Sequence, residues 1–131
     1  MAGWDRAVLD AAAAAQEVEL TTWGRHTGQP ARVTIWIWGD GRRLYIRSGG
    51  GMRRDWPQNL LAHGHGLLHL AGRTIPVHAR QVRDPAEARA GAAMIRRKYG
   101  TDGQPSAAGA ALTPGEQATF ELLPAEAGPE A

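Results

Sequence analysis

Residues 33–48 decide the fold, and they read VTIWIWGDGRRLYIRS. Two runs with a period of two flank the turn sequence Gly39-Asp40-Gly41, which is typical of a β-hairpin. The first run alternates between an aliphatic face and a face that carries Trp36 and Trp38. Since both faces are apolar, we expect one to line the core and the other to meet a partner subunit or a ligand ring.

The same period of two recurs on both sides of this hairpin. Pro76 falls within one of these runs and requires an edge or bulge position, because proline has no backbone N–H to donate. The predicted strands cover 18–22, 33–38, 43–48, 66–70, 74–82 and 118–123. Grouped strands of this kind favour a mainly β, α+β protein built on a small antiparallel barrel over a doubly wound parallel sheet.

Helix signals lie between the strands. Asp5 is a candidate N-cap, Asp55 is another with Pro57 in the first turn, and Asp84–Glu87 has the form of a capping box. Gly64 ends the second of these patterns. The predicted peripheral helices lie at 1–16, 55–63 and 85–99.

Length and composition limit the class of protein. The 131 residues, 43% of them apolar, predict one domain spanning 1–131, with a flexible acidic tail at 124–131. The absence of cysteine excludes disulfides, thiolate metal sites and a cysteine nucleophile. No run is apolar and long enough to predict a membrane span, and no signal peptide is indicated, so we expect a cytoplasmic protein.

Charge is distributed unevenly along the chain. The net charge is +2, and fourteen of the fifteen basic residues are arginine. Between Thr21 and Arg83, ten arginines face two aspartates, which gives this segment a local charge of +8. The segment is either a solvated basic surface or a site for an anion, since the planar guanidinium suits phosphate and carboxylate. Nucleic-acid binding is not predicted, because no reader motif accompanies the charge.

Two glycine loops stand beside these arginines, at 24–28 and 47–54. Glycine lets a ligand approach the backbone closely, although a bare turn is the alternative interpretation of each loop. Neither loop matches the phosphate-loop or dinucleotide fingerprints.

Taken together, the spaced elements resemble one family. Leu20–Pro30, Asp40–Gly41, Ser48–Gly50, Trp56 and Asn59 are similar to the deazaflavin-dependent nitroreductase and quinone reductase family. That family has the split β-barrel flavin-binding fold of the pyridoxamine-phosphate oxidases. The resemblance covers about residues 20–82 and implies a six-stranded antiparallel split β-barrel with two or three peripheral helices.

The resemblance also implies an activity. It points to an oxidoreductase that holds the reduced deazaflavin coenzyme F-420 and transfers hydride to a quinone, nitroaromatic or enone. Arg25 and Arg32 would meet the phosphate or anionic tail of the coenzyme, and Ser48 would lie along its ring. The implied coenzyme-binding residues are Arg25, His26, Thr27, Gly28, Arg32, Ser48, Gly49, Gly50, Arg53, Arg54, Trp56 and Asn59. The implied catalytic residues are Ser48, Trp56 and Tyr99.

Some residues depart from the family pattern. His26 stands where lysine is usual, Pro57 replaces a tyrosine, and Tyr99 is the only tyrosine near the C-terminal helix. An FMN-binding relative and a non-catalytic flavin or deazaflavin binder therefore remain as alternatives.

Two further expectations concern metal and assembly. The histidines at 63, 65 and 69 could share a strand face, but Gly64 breaks that face and no carboxylate lies between Asp55 and Asp84, so no metal site is predicted. A homodimer is expected, because a partner could cover the second apolar face of the strand at 33–38.

Overall fold

The computed structural model describes residues 3–100 and 105–125. Of the tail predicted at 124–131, Pro124 is the last residue of a strand, and residues 126–131 lie outside the described residues. The helices are α1 (Arg6–Ala14), α2 (Asp55–His63), α3 (Pro85–Tyr99) and the single turn α4 (Pro114–Gln117), and a 3-10 turn covers Gly51–Arg53. The strands are β1 (Val18–Trp23), β2 (Pro30–Ile35), β3 (Ile37–Gly39), β4 (Leu44–Arg47), β5 (His65–Leu70), β6 (Arg73–Gln81) and β7 (Thr119–Pro124).

The strands form one curled antiparallel sheet in the order β2-β1-β5-β6-β7-β4-β3. Its two end strands, β2 and β3, are consecutive in the chain and only Trp36 separates them. The sheet must therefore curl until both ends meet at Trp36. The predicted mainly β barrel is confirmed, with seven strands instead of six because the run predicted as one strand breaks at Trp36.

The hairpin of β3 and β4 is confirmed, with Trp38 opposite Tyr45 and Ile37 opposite Ile46. Ile37 and Ile46 are fully buried inside the barrel. Trp38 and Tyr45 point outward into a second buried cluster with Ile95 of α3. The outer apolar face is thus covered by the chain's own helix at Trp38. Trp38 is therefore not available to a partner subunit, and the homodimer stays a prediction.

The barrel interior is the main core. Every strand contributes alternate residues to this core, because successive side chains of a strand point to opposite faces of the sheet. Side chains with no exposed surface include Leu20, Ile37, Ile46, Leu60, Leu68, Val77, Phe120 and Leu122. Helices α1 and α2 add Val8, Ala12, Trp56 and Leu60 to this cluster.

Helix boundaries follow local capping chemistry. Asp5 accepts from the Val8 backbone N–H at 2.9 Å, which confirms the first N-cap. The second N-cap is Arg54, which makes no side-chain capping bond, so the prediction of Asp55 as cap was wrong. Asp55 is instead the first helical residue, where its negative charge favours the helix N-terminus. Gly64 ends α2 with φ 76°, as predicted.

Helix α3 begins at the predicted N-cap Asp84 and ends at Gly100. The capping box is not formed, because the Glu87 side chain turns to the sheet instead. There it accepts hydrogen bonds from Tyr45 and Arg80. Burial opposes the charged form of Glu87, but these bonds outweigh it and hold the pKa of its carboxyl below the usual value.

No helix was predicted from the sequence at Pro114–Gln117, where α4 forms. A capping box forms there between Thr113 and Glu116, and each residue bonds the backbone N–H of the other. Glu116 has no exposed surface and also accepts from the Ser106 N–H at 3.0 Å. Burial disfavours its charge, yet these backbone bonds prevail and lower the pKa of the Glu116 carboxyl. The sequence Thr-Pro-Gly-Glu carried this signal.

Pro76 lies where β7 ends. It is opposite Leu67 of β5, and its carbonyl accepts from the Ala125 N–H just beyond Pro124. The position where Pro76 lacks a backbone N–H is therefore at the end of the pairing between β6 and β7. This is equivalent to the edge position that the sequence required for Pro76. Among the described residues, no helix has the length and apolar character needed to cross a membrane.

Candidate functional site

A cavity of about 440 Å³ lies where the sheet ends meet. The end of β4 and the following glycine loop form one side, and the junction of β2 and β3 forms another. Helices α2 and α3 contribute one residue each. The lining residues are Glu17, Thr34, Ile35, Trp36, Arg47, Ser48, Gly49, Gly50, Arg54, Trp56 and Ile95.

The loop at 48–50 is held by backbone bonds. The Ser48 N–H donates to the Ala118 carbonyl at 3.1 Å, and the Gly51 N–H donates back to the Ser48 carbonyl at 3.0 Å. The Ser48 hydroxyl is buried and has no hydrogen-bond partner among the described residues. Two other buried side-chain atoms share this property, on Thr22 and Trp38, but neither residue lines this cavity. A buried hydroxyl without a partner is costly unless a ligand or water satisfies it.

The glycines of the loop leave space. A Cβ on Gly49 would have no atom within 4 Å, so this backbone faces open space. A Cβ on Gly50 would lie 2.7 Å from Nε of Arg54, which shows that Arg54 packs directly over this glycine. The loop therefore offers bare backbone and a guanidinium together, as an anionic or polar ligand requires.

A second arginine of the cavity, Arg47, rests on α4. A Cβ on Gly115 would lie 3.0 Å from Cζ of Arg47, so the guanidinium lies across the glycine backbone. Arg47 and Arg54 thus reach the same cavity from different elements, and Glu17 is the one carboxylate among its lining residues. The cavity is cationic on balance.

Two tryptophans form the aromatic walls. Trp56 is only 8% exposed and belongs to the core cluster, with its ring centroid 6.3 Å from that of Phe120. Trp36 is half-buried and stacks on Tyr99, with centroids 3.9 Å apart and planes 8° from parallel. Trp56 was predicted to shape the pocket, and the structure places it there and in the core at once.

Tyr99 does not line the cavity. Its hydroxyl donates to the carbonyl oxygens of Gln16 at 3.0 Å and Ile37 at 3.1 Å. Burial raises the pKa of the Tyr99 phenol above its ordinary value, although the hydrogen bond to Ile37 opposes this shift. The phenol therefore stays protonated at neutral pH and lies behind Trp36.

The glycine loop after β1 lies in a separate cavity of about 330 Å³, beside Asp55 and Asn59 of α2. The Oδ1 atom of Asn59 accepts from both the backbone N–H and the guanidinium of Arg25, at 3.0 and 2.8 Å. Asn59 is buried, so this amide fixes the loop to the helix. His26 and Thr27 also line this cavity, and Gly28 supplies the turn with φ 71°.

Arg32 lies in a third place. It pairs with Glu19 at 2.7 Å and lines an open groove of about 520 Å³ on the outside of β1 and β2. This groove shares Glu17 and Thr34 with the cavity at Ser48, so the two adjoin. The residues that line this groove are mostly polar and partly ion-paired, and none of these described residues has a buried side-chain polar atom without a hydrogen-bond partner. The cavity at Ser48, which has such an atom, is therefore the better candidate site.

The structure thus brings together five of the residues singled out from the sequence: Ser48, Gly49, Gly50, Arg54 and Trp56. Arg53 is exposed and does not line the cavity. Sequence reasoning did not assign five of the lining residues to a site, and it left the face of Trp36 open to the core, a partner subunit or a ligand ring. The five are Glu17, Thr34, Ile35, Arg47 and Ile95. Arg47 directly precedes Ser48 at a strand end, and that adjacency was the available signal.

His63, His65 and His69, the histidines considered as metal ligands, do not form one cluster. His69 is hydrogen-bonded to the Thr21 hydroxyl at 2.7 Å, and the rings of His63 and His65 lie 6.0 Å apart. Across residues 3–100 and 105–125, no three histidine, cysteine or acidic side chains are arranged to hold a metal ion.

The curled sheet with its cavity at the closure point defines a split β-barrel protein, and solved structures share this fold. A proposed 5-nitroimidazole antibiotic resistance protein from Bacteroides thetaiotaomicron aligns with a TM-score of 0.63 and 14% identity, over 95% of this chain and 81% of that one. A conserved hypothetical protein from Mycobacterium tuberculosis aligns at 0.59 and 14% identity, over 92% and 79%. An F-420 reductase aligns at 0.51 and 16% identity, over 90% and 89%.

At these identities the likeness establishes the fold, and it confirms the split barrel that the sequence resemblance implied. Residues 8–122 match the family model of an uncharacterised protein conserved in bacteria, DUF2255, and the chain belongs to that family. The comparison with curated proteins found no match.

Proposed function

We propose that this chain is a cytoplasmic oxidoreductase that binds reduced coenzyme F-420 in the cavity at Ser48 and transfers hydride to a small conjugated acceptor. The observation that carries the proposal is the buried, unpartnered Ser48 hydroxyl beside the open backbone of Gly49. The similarity in fold to an F-420 reductase supports it.

The residues fit a flat heteroaromatic ring with an anionic substituent. A volume of about 440 Å³ lies within the usual range of small-ligand pockets, roughly 300–1,000 Å³. Trp56 supplies an apolar wall, and Gly49 allows a ring to lie against the backbone without meeting a Cβ, whereas Arg54 covers Gly50. Arg47 and Arg54 supply the positive charge that a phosphate or phenolate needs.

In this assignment Ser48 is the hydrogen-bonding residue, and Arg54 and Arg47 bind the anionic part of the coenzyme. The coenzyme's tail would bind in the separate cavity at the glycine loop after β1. The residues proposed for it are Arg25, His26, Thr27, Gly28 and Asn59. Arg32 and Arg53 would contribute only through the outer surface. When bound, the reduced coenzyme supplies a hydride, and a proton from solvent completes the reduction of a quinone, nitroaromatic or enone.

The protein's own share is to orient the ring and exclude water. Trp36, Trp56 and Ile95 line the cavity with apolar surface, so a bound ring would be shielded on several sides. Tyr99, proposed from the resemblance as a catalytic residue, would act only through Trp36, because its hydroxyl is occupied by backbone carbonyls.

The direct test is a titration of the purified protein with reduced and oxidised F-420, followed by coenzyme fluorescence and calorimetry. We expect micromolar or tighter binding, and slower or weaker binding for Ser48→Ala. Turnover is then measured with an uncharged naphthoquinone, a nitroaromatic and a cyclic enone. Ser106→Ala is a matched control, since it also removes a serine hydroxyl but lies outside the cavity.

The alternatives give different results. Retention of FMN together with no binding of F-420 would favour an FMN-binding split-barrel protein. Tight binding of F-420 without turnover of any acceptor class would favour a non-catalytic binder. Binding of neither coenzyme would overturn the proposed site.

A further inference from the structure

Trp36 has an unusual place in this barrel. It is the single residue between the two end strands, and part of its ring lines the cavity at Ser48. We call this junction of β2 and β3 the seam. A tryptophan at the seam could move over the cavity, but Trp36 is fixed by a residue on the side of its ring away from the cavity. The Tyr99 ring lies nearly parallel to it at 3.9 Å, so one indole face is covered.

Tyr99 is itself fixed by several bonds. Its hydroxyl reaches the carbonyl of Gln16 and both the N–H and the carbonyl of Ile37. The neighbouring Lys98 ammonium donates to the Ile37 carbonyl at 2.6 Å and to the Ala12 carbonyl at 3.0 Å. The end of α3 is therefore clamped onto the seam, and Trp36 is presented to the cavity as a rigid aromatic surface.

Charge is divided between the elements that line the cavity. Arg47 and Arg54 belong to the glycine-loop side, whereas Glu17 comes from the segment just before β1 and lines the cavity with Thr34 and Trp36. Glu17 is exposed and lines the cavity together with Trp36, so a ligand against Trp36 would lie near a negative charge. A carboxylate in that position disfavours an anionic ligand and admits an uncharged or cationic one.

We propose that Trp36 is the specificity-determining wall for the hydride acceptor, that Tyr99 is its positioning residue, and that Glu17 restricts the acceptor to planar rings without negative charge. This assignment rests on the proposed function, and it places the coenzyme's anion and the acceptor on opposite sides of one cavity. The Tyr99 phenol then serves to hold the indole plane, not to donate a proton.

The test compares Trp36→Ala, Trp36→Phe, Tyr99→Phe and Tyr99→Leu, with KM and kcat measured for 1,4-naphthoquinone. An aromatic stacking pair contributes roughly 0.5–1.5 kcal/mol, so loss of the wall should raise KM about three- to tenfold. We expect Trp36→Ala to do so with a smaller effect on the Kd of the coenzyme, and Trp36→Phe to keep a KM close to that of the wild type. Tyr99→Phe keeps the stacked ring and should resemble the wild type, whereas Tyr99→Leu should raise KM.

Glu17→Gln tests the charge. It should improve kcat/KM for a naphthoquinone sulfonate by about fivefold, as expected for the removal of a repulsion near 1 kcal/mol in a solvated site. Its effect on kcat/KM for uncharged naphthoquinone should be smaller, because that acceptor carries no charge for Glu17 to repel. Equal effects on both quinones, or a Trp36→Ala enzyme with wild-type KM, would overturn the inference.

A readout without turnover separates this inference from the proposed function. Naphthoquinone quenches tryptophan fluorescence on contact, and the wild type is compared with Trp36→Phe by titration with the quinone alone. A clearly smaller quenched fraction in Trp36→Phe, with Trp56 still present in the cavity, supports the wall even if F-420 does not bind. Equal quenching in both proteins overturns it. Circular dichroism melting of each variant excludes unfolding as the cause.

Discussion

Replacing Gly50 with alanine should weaken coenzyme binding, although it removes no side chain from the site. Gly50 has φ −81° and ψ 1°, a conformation that alanine adopts without strain. The added Cβ would nevertheless lie 2.7 Å from Nε and 3.4 Å from Cδ of Arg54. Since real contacts are longer, the Arg54 side chain must move away from the loop.

The magnitude follows from the bonds that Arg54 would lose. A hydrogen bond to a charged group contributes about 1.5–3 kcal/mol, which corresponds to a rise in Kd of roughly 10- to 150-fold. Protein stability should not fall, since alanine at a compatible glycine position stabilises by about 0.4–1 kcal/mol through the unfolded chain. Affinity and stability should therefore change in opposite directions.

The assay is a double-mutant cycle on the dissociation constant of F-420. Gly50→Ala and Arg54→Ala should each weaken binding, and the double variant should bind no more weakly than Arg54→Ala alone. Arg42→Ala removes an arginine from the hairpin turn, outside the cavity, and controls for net charge. Wild-type affinity in Gly50→Ala, or additive losses in the double variant, would refute the reasoning.

Three further substitutions test the scaffold around the site. Glu116→Gln should cost about 1–3 kcal/mol at pH 7, because its amide presents N–H groups to backbone donors. The pKa of Glu116 is lower in the folded protein than its ordinary value of 4.5. Its contribution to the free energy of unfolding is therefore complete above pH 4.5 and is lost as the pH falls through the folded pKa. Melting temperatures of the variant measured at acid pH should lack this part of the pH dependence. Trp56→Ala should destabilise by about 3–5 kcal/mol in urea unfolding, and a variant as stable as the wild type would place Trp56 outside the core. Asn59→Ala leaves the Arg25 N–H without an acceptor and should cost about 1–3 kcal/mol as well as coenzyme affinity, whereas unchanged values of both would show that the loop is held elsewhere.

Much of the fold was readable from the chain because local signals agreed with the global structure. The hairpin around Asp40 combines alternation with a turn in which the Asp40 carboxylate accepts from the Arg42 and Arg43 N–H groups. The break at Trp36 was not readable, since alternation continues through it. It results from closure of the sheet, a long-range requirement that no local pattern expresses.

The site was only partly predictable for the same reason. Ser48 and Gly49 were found because a glycine loop at a strand end is a local feature. The position of the Tyr99 hydroxyl was not predictable, because it depends on the end of α3 meeting Gln16 and Ile37, far away in sequence. Glu17 carries no motif at all, and only the tertiary structure brings it to the cavity.

The placement of Trp36 also links ligand binding to the integrity of the barrel. A ligand that contacts Trp36 touches the residue that joins β2 and β3, which are the first and last strands of the sheet order. Its binding energy would oppose local opening of both strands at once. Slowed amide hydrogen exchange should then appear around Ile35 and Ile37, at opposite ends of the sheet order, so that occupancy of the cavity can be followed in the backbone even when no reaction occurs.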